Sequence, residues 1–402
     1  MIGTPGCLDP SIARPPAIRV FAAIAILLAV ATAAGMALLW PGDTPSGVGE
    51  SIVIDSEAAT VERVSEFACQ SLATDTCSKV TVRLESGLDK DKRTNFQIGV
   101  GGLDPDVDVG DKVRVVENAV APGVESVRGQ EYSLSDFERR RPMLLLALLF
   151  AGLVVLFARL RGVLSLVGLG VSLAVVLGFM VPAILDDKSP LAVAVVGSFA
   201  VMLTTIALAH GVGAKSLAAM IGTALSLMVT IALAVLFVGL THLTGLSSEE
   251  SLFLQTSETG LSLDGLLLAG MVVAALGVLD DVTISQSSTV LALRAANPDQ
   301  AFRELFGRAM TVGRDHVSAT VNTLVLAYVG ASLPLLLIFS SSTLSFSDAL
   351  NLELIAKEVV ATLVGSIGLI TAVPITTALA ALLAGHMPPE QLVGSEHAGH
   401  SH

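Results

Sequence analysis

Eight stretches of this 402-residue sequence run for 17 to 29 residues with almost no charged side chains. An α-helix needs about 20 apolar residues to cross the ~30 Å hydrocarbon core of a bilayer. The stretches are residues 17–40, 142–158, 162–185, 191–209, 216–243, 265–293, 317–340 and 359–383. We therefore predict an α-helical integral membrane protein with about eight transmembrane helices.

The composition supports this fold class and excludes others. Hydrophobic residues make up 52% of the chain and charged residues only 15%, whereas soluble proteins carry about 25% charged residues. A soluble enzyme, a disordered chain and a collagen-like fibre are therefore excluded. With 4% aromatic residues and 23 Lys and Arg against 36 acids, the chain lacks the basic surface that nucleic-acid binding requires.

Residues 41–141 form the one long hydrophilic region, and its pattern is that of β-strands. Short runs rich in Val, Ile and Thr alternate with Gly and Asp turns. The predicted strands are Ser51–Ile54, Lys79–Leu84, Asn95–Val100 and Lys112–Val116. Strands at this spacing predict a small all-β domain, with an OB-like barrel as the first choice.

Two of the three cysteines, Cys69 and Cys77, lie in this β region. The predicted topology places the region outside the cytoplasm, where disulfides form, and a separation of eight residues permits a local bridge. We predict a Cys69–Cys77 disulfide; the alternative is two buried thiols. Cys7 is predicted to be a free thiol on the cytoplasmic side.

Basic residues in the short loops set the predicted orientation. With the N-terminus in the cytoplasm, nine Lys and Arg of the short loops lie inside and two lie outside, although Arg139, Arg140 and Arg141 then fall on the outer side. The predicted domains are a cytoplasmic N-terminus (1–16), a transmembrane signal-anchor (17–40), an extracytoplasmic β domain (41–141), a seven-helix domain (142–385) and a cytoplasmic tail (386–402). A cleaved signal peptide is the alternative for the first helix.

Asp280 and Asp281 are the only charges between Gly265 and Leu293. A carboxylate inside a bilayer is costly and usually faces a cavity or a partner. The span either extends past both residues, which places them inside the membrane, or starts near Leu261, which places them near its inner face. Thr283, Ser285 and Gln286 complete a predicted cation or proton site; the alternative is a solvated helix end. Further contributions are predicted from His316, Asn322, Thr376 and Thr377, and weaker ones from Thr204, Thr205 and His210.

Two cytoplasmic segments carry separate predictions. Residues 294–314 show apolar residues on one helical face and charged residues on the other, which predicts an amphipathic helix on the inner membrane surface, or else a connector packed against helix ends. The tail contains His386, His397, His400 and His402, and clustered imidazoles can bind a transition metal. No nucleotide-binding loop, hydrolase elbow or zinc-protease motif is present, so we expect no cofactor and no enzyme activity.

The layout resembles that of the YibE/F-like family of bacterial membrane proteins. The resemblance is carried by a leading helix, a β region that ends in the segment 109–115 (VGDKVRV), and a helical block that contains the segment 277–286 (GVLDDVTISQ). It covers roughly residues 100 to 385. It implies a multipass protein of the bacterial plasma membrane, and it brings no settled substrate or catalytic residues.

Two functions fit these features. The first is a secondary transporter or channel-like permease that moves an ion or small solute, with a cation or proton bound at the Asp pair. The second is a non-transporting assembly or signalling protein whose outer β domain binds a partner. An intramembrane aspartyl protease is disfavoured, because neighbouring residues of one helix diverge by about 100° and do not form a catalytic dyad. The expected partners are the lipid bilayer and an unknown solute, and the sequence permits a homo-oligomer.

Overall fold

The computed structural model describes residues 16–42, 56–68, 76–99, 105–118, 131–247, 249–257, 260–341 and 345–387. The chain divides into two compact units, Ser46–Phe157 and the remainder. The first holds the β-strands, and the second holds most of the helices. Each unit has its own hydrophobic core.

A five-stranded antiparallel sheet forms the first unit, with strand order β3-β2-β1-β4-β5. The strands are β1 Ser56–Ala68, β2 Thr76–Leu84, β3 Arg93–Ile98, β4 Lys112–Glu117 and β5 Tyr132–Phe137. The edge strands β3 and β5 also contact each other, so the sheet is curled. A register shift between Val61 and Arg63 in the long strand β1 marks a bulge, which favours such bending.

Alternation of buried and exposed residues is clearest in β3. In β3 the buried residues Thr94, Phe96 and Ile98 alternate with exposed ones, so one face joins the core. The sequence predicted β2, β3 and β4 close to these bounds. It did not predict β1 or β5, and the predicted strand Ser51–Ile54 lies outside the described residues.

The helices account for most of the remaining chain. They are α1 Pro16–Leu38, α2 Arg140–Val175, α3 Val181–Leu185, α4 Pro190–His210, α5 Ala214–Leu240, α6 Glu249–Ser257, α7 Leu263–Ala296, α8 Phe302–Ala331, α9 Leu333–Ser340, α10 Phe346–Asn351 and α11 Glu353–Gly385. A π-helical turn, Val176–Met180, joins α2 to α3.

All eight predicted apolar stretches lie largely within these helices, but the number of separate spans is smaller. Among the described residues, six helices are long and apolar enough to cross a membrane, or seven if the bent pair α8 and α9 counts as one span. The second and third stretches fall in one helical segment, Arg140–Leu185, but the backbone at Arg159 (φ 51°, ψ −129°) is non-helical, so a kink separates the two stretches. The charged residues at positions 159 and 161, which separate the two stretches in the sequence, therefore coincide with a break in the helix.

Helices α5, α7 and α11 form the centre of the bundle, and α1, α4 and α8 pack around them. Helix α1 lies so close to α4 that a Cβ atom at Gly35 would be 2.8 Å from Val196 Cγ2. At its far end, Trp40 stacks on Phe179 with ring centroids 5.8 Å apart, and the Gly42 amide donates to Asp186 Oδ2 at 3.1 Å. The first helix therefore packs as a member of the bundle.

Helix α8 contains both the predicted amphipathic segment and the seventh apolar stretch. It runs without a break from Phe302 to Ala331, and its buried residues are Leu305, Ala309 and Gly313. The following helix α9 bends away from it by 64°. The bend falls at Ser332 and Leu333, directly before Pro334, which has no amide hydrogen to continue the helical ladder.

Candidate functional site

Helix α7 carries Asp280 and Asp281 near its middle. Ser262 caps its start by accepting a hydrogen bond from the Gly265 amide at 3.1 Å. From Leu263 the helix continues to Ala296, so Asp280 lies about 26 Å along the axis from its first residue. The helix thus starts close to Leu261, as the second sequence alternative stated, and also extends past both aspartates, as the first alternative stated.

Asp280 is half-buried against helix α4. Thr205 Oγ1 donates a hydrogen bond to Asp280 Oδ2 at 3.2 Å. The other carboxylate oxygen, Oδ1, is buried and has no hydrogen-bond partner among the residues that the structure describes. Because α4 ends at His210, Thr205 lies only about 7.5 Å from that end of the helix. The carboxylate therefore lies inside the bundle but close to one of its ends.

Both aspartates line a cavity of about 380 Å³ between α2, α4 and α7. Asp281 is exposed, and Asp280 is half-buried. The other polar side chains that line the cavity are Ser165, Ser172, Thr205, His210 and Ser285. The cavity thus combines two carboxylates with hydroxyl groups and one imidazole, which are groups that bind protons or hard cations.

Two predicted members of the site face other helices. The hydroxyl oxygens of Thr283 and Thr223 lie 2.6 Å apart at the α5–α7 contact. The buried Gln286 donates through Nε2 to the Ala309 carbonyl oxygen at 3.0 Å and to Thr377 Oγ1 at 2.8 Å. Of the five predicted core residues, the structure brings Asp280, Asp281 and Ser285 to the cavity, whereas Thr283 and Gln286 connect helices.

The four predicted contributors also lie away from the cavity. Thr377 takes part in the Gln286 contact, and Thr376 is fully buried beside Gly222, where a Cβ atom would be 2.2 Å from Thr376 Oγ1. His316 is half-buried on α8 and Asn322 is exposed on the same helix. None of these four residues lines the cavity of the aspartates.

Two cavity residues, Ser165 and Ser172, were not predicted from the sequence. They flank Gly168 at helical spacing on α2, and Ser172 Oγ donates to the Gly168 carbonyl oxygen at 2.9 Å. A face with two serines and a glycine in an otherwise apolar helix is the signal that could have identified them. Of the weaker predicted contributors, Thr205 and His210 line the cavity.

A second cavity, of about 250 Å³, lies between α8, α9 and α11. Its lining is apolar except for a few residues, among them Tyr328 and Glu358. It holds one carboxylate, whereas the first cavity holds two carboxylates, one imidazole and several hydroxyls. The first cavity is therefore the better candidate for binding a charged species.

Metal and disulfide predictions fall partly outside the described residues. Within the described part of the chain, no group of three His, Cys, Asp or Glu side chains is arranged to hold a metal ion. The histidines of the tail at 397, 400 and 402 lie beyond it. Cys77 is buried and disulfide-bonded, whereas Cys69 lies outside the described residues, so the Cys69–Cys77 pairing stays a prediction.

Comparison with known proteins agrees with the helical layout. The sequence model of the YibE/F-like proteins matches residues 146–386, more than half of the chain. The chain belongs to the YibE/F-like family. No match was found among curated proteins or solved structures. Family membership and the apolar helices together identify this YibE/F-like protein as a multipass membrane protein.

Proposed function

We propose that this YibE/F-like protein is a secondary transporter or channel-like permease that binds a proton or cation at Asp280 and Asp281. The observation that carries the proposal is the cavity that both carboxylates line. A carboxylate on a membrane helix is retained at a cost and usually serves a solute or proton pathway. A cavity beside it gives such a solute a place to bind.

Helix packing supports a pathway at this position. Asp280 faces α4 through Thr205, and the cavity continues along α4 to His210 at the helix end. An ion that enters at this end reaches Asp280 without crossing the apolar core of α5, α7 and α11. Movement to the opposite end of the bundle then requires a rearrangement, as alternating access demands of secondary transporters.

We assign the protein to the bacterial plasma membrane with both termini in the cytoplasm, from the excess of Lys and Arg in the short inner loops. In that orientation the Asp cavity opens toward the cytoplasmic end, and the β domain lies outside as an OB-like barrel. The bilayer is the principal partner, and no nucleic acid is expected.

A non-transporting assembly or signalling protein is the second candidate. The separate hydrophobic core of the β domain favours it, because a domain with its own core is suited to binding a partner. A bundle that only anchors the β domain needs no cavity beside the aspartates. The cavity therefore favours the permease.

The test is charge movement in proteoliposomes on a solid-supported membrane, with a panel of small inorganic and organic solutes added in turn. We expect the wild-type protein to give a transient with at least one solute, and Asp280→Asn to abolish it. Asp264→Asn is the matched control, because Asp264 lies in the first turn of the same helix and bonds to Ser262. An unchanged transient in Asp280→Asn would remove the proposal, and no transient with any solute would favour the second candidate.

A further inference from the structure

The two oxygen atoms of the Asp280 carboxylate have different surroundings. Oδ2 accepts a hydrogen bond from Thr205 Oγ1 at 3.2 Å. Oδ1 is buried, and no donor reaches it among the residues that the structure describes. A buried oxygen that carries negative charge and has no donor is costly. Oδ1 of Asp280 is therefore left without a hydrogen-bond partner, and a single bound ion would supply one.

A metal cation would need more ligands than this arrangement presents. Hard cations such as Ca²⁺ and Mg²⁺ take about six or more oxygen ligands. The described residues hold no group of three His, Cys, Asp or Glu side chains suited to a metal, and the Ser172 hydroxyl is already directed at the Gly168 carbonyl. A proton needs only one oxygen atom, and Oδ1 supplies it.

The charged groups around Asp280 do not neutralise it. Asp281 follows on the same helix, and His210 lines the cavity from α4. Lys215 at the start of α5 and Arg161 on α2 interact electrostatically with His210. No cationic side chain of the described residues forms an ion pair with Asp280, since no such pair lies within 4.0 Å. Protonation of Asp280 therefore breaks no ion pair.

We propose that the ion bound at this site is a proton, carried on Oδ1 of Asp280, and that Thr205 positions the carboxyl group by donating to Oδ2. The inference rests on the proposed function and names its coupling ion. The bound proton comes from water through the cavity and converts the carboxylate into a neutral carboxylic acid, which is no longer a charge inside the bundle. Asp280 is the proton-binding residue, and Thr205 is a positioning residue.

Helix α4 offers a matched pair of variants. Thr205 Oγ1 lies within hydrogen-bond distance of Asp280 Oδ2, at 3.2 Å, and of the carbonyl oxygens of Val201 and Met202, at 2.8 and 3.2 Å. Thr204, its neighbour, bonds only to the carbonyl oxygens of Ala200 and Val201, at 2.7 and 3.0 Å, among the described residues. Thr205→Val and Thr204→Val remove the same hydroxyl from the same helix, but only the first removes a hydrogen bond to the carboxyl group.

The experiment is infrared difference spectroscopy of the full-length protein in liposomes, titrated with pH. A protonated carboxyl group has a carbonyl stretch separate from that of a carboxylate. We expect a band that is lost as the pH rises, is absent in Asp280→Asn and is retained in Asp281→Asn. Because a hydrogen bond lowers a carbonyl frequency, Thr205→Val should move the band to higher frequency, and Thr204→Val should leave it in place.

Three outcomes would overturn the inference. They are the absence of any band that Asp280→Asn removes, loss of the band in Asp281→Asn instead, and loss of the band when Na⁺ replaces choline at constant pH. The readout does not depend on transport. If no charge movement is found while the band behaves as expected, the permease fails and the proton site stands; the reverse result leaves a permease that uses another ion.

Discussion

The β domain and the helix bundle satisfy their polar side chains in different ways. In the β domain, charged groups pair across strands, as where Glu62 accepts hydrogen bonds from Arg83 at 3.1 Å and Arg93 at 2.7 Å. In the bundle, hydroxyl groups mostly bond to a carbonyl oxygen of their own helix, as Ser226 does to Gly222 and Thr230 to Ser226. Fewer side chains bond between helices, and Thr205 is one that bonds both to the Val201 carbonyl oxygen of its own helix and to Asp280 on α7.

The two regions also pack differently. The β domain buries large side chains, including Phe96, Tyr132 and Leu84, because removal of apolar surface from water drives its folding. The bundle brings helices together at small residues such as Gly222 and Gly368, because lipid is as apolar as the side chains and close packing drives association there. Removal of side-chain volume should therefore destabilise the β domain most, whereas added volume at a glycine should destabilise the helix bundle most.

The largest effect is expected from Phe96→Ala in the β domain. Phe96 is 0% exposed at the centre of that core, so its truncation should lower the free energy of unfolding of the domain by about 3–5 kcal/mol. The measurement is the urea dependence of deuterium protection in β2 and β3, followed by mass spectrometry on the full-length protein.

Leu88→Ala is the control for Phe96→Ala, because Leu88 is 105% exposed and should change protection very little. Protection in α5 and α7 should stay unchanged in both variants, since their core contains no β-domain residue. Equal loss of protection in the helices would contradict the separation of the two cores.

A smaller effect, from added rather than removed volume, is expected from Gly222→Ala in the bundle. The new Cβ would lie 2.2 Å from Thr376 Oγ1 and 3.3 Å from Thr376 Cα, so α5 and α11 must move apart. Overpacking of this kind costs about 1–3 kcal/mol. The measurement is the thermal unfolding of the purified protein in detergent.

Gly239→Ala, on the same helix, is the matched control for Gly222→Ala, because its Cβ would meet nothing within 4 Å. The double variant Gly222→Ala with Thr376→Ala should recover part of the loss, since the clashing hydroxyl is gone. Equal stability of the two single variants would show that the helices do not depend on close approach at Gly222.

The fold was predictable where one residue pattern decides it. Apolar runs identified the helices, and alternation identified β2 to β4. Strand β1 was not predicted, because charged residues such as Glu62, Arg63 and Glu66 interrupt its apolar pattern. Its place at the centre of the sheet depends on pairing with β2 and β4 rather than on its own composition. The gap between the second and third apolar stretches coincides with the kink at Arg159, where charged residues interrupt the apolar run.

The candidate site was predicted most strongly on its own helix. The cost of a carboxylate among apolar residues identified Asp280 and Asp281. Thr205 was predicted only as a weaker contributor and Ser172 was not predicted, because the sequence does not encode which helices become neighbours. Helical spacing also grouped Gln286 with the aspartates, although six residues of helix turn its side chain toward α8 and α11 instead.

The smallest expected effect concerns one carboxylate of the β domain and depends on pH. Glu57 Oε2 is buried without a hydrogen-bond partner among the described residues. Burial, then the nearby charges of Asp89 and Glu117, raise the pKa of Glu57 above its ordinary value of 4.5. Because the folded state holds the proton more tightly than the unfolded state, the stabilisation is present below pH 4.5 and is lost as the pH rises through the pKa of the folded state.

Glu57→Gln should therefore make the β domain more stable than the wild type at pH 7, by less than about 1 kcal/mol because water screens the group. In acid, the variant and the wild type should be equally stable.

Glu62→Gln is the control with the opposite expected sign. Hydrogen bonds from Arg93, and then from Arg83, lower the pKa of Glu62, so its contribution is present above pH 4.5, and its loss should destabilise the domain at neutral pH. Urea titrations of β-strand protection at the two pH values measure both. Effects of the same sign would show that the unpaired carboxylate of Glu57 is compensated in the same way as the paired carboxylate of Glu62. The contrast between paired and unpaired charge would then fail within the β domain itself.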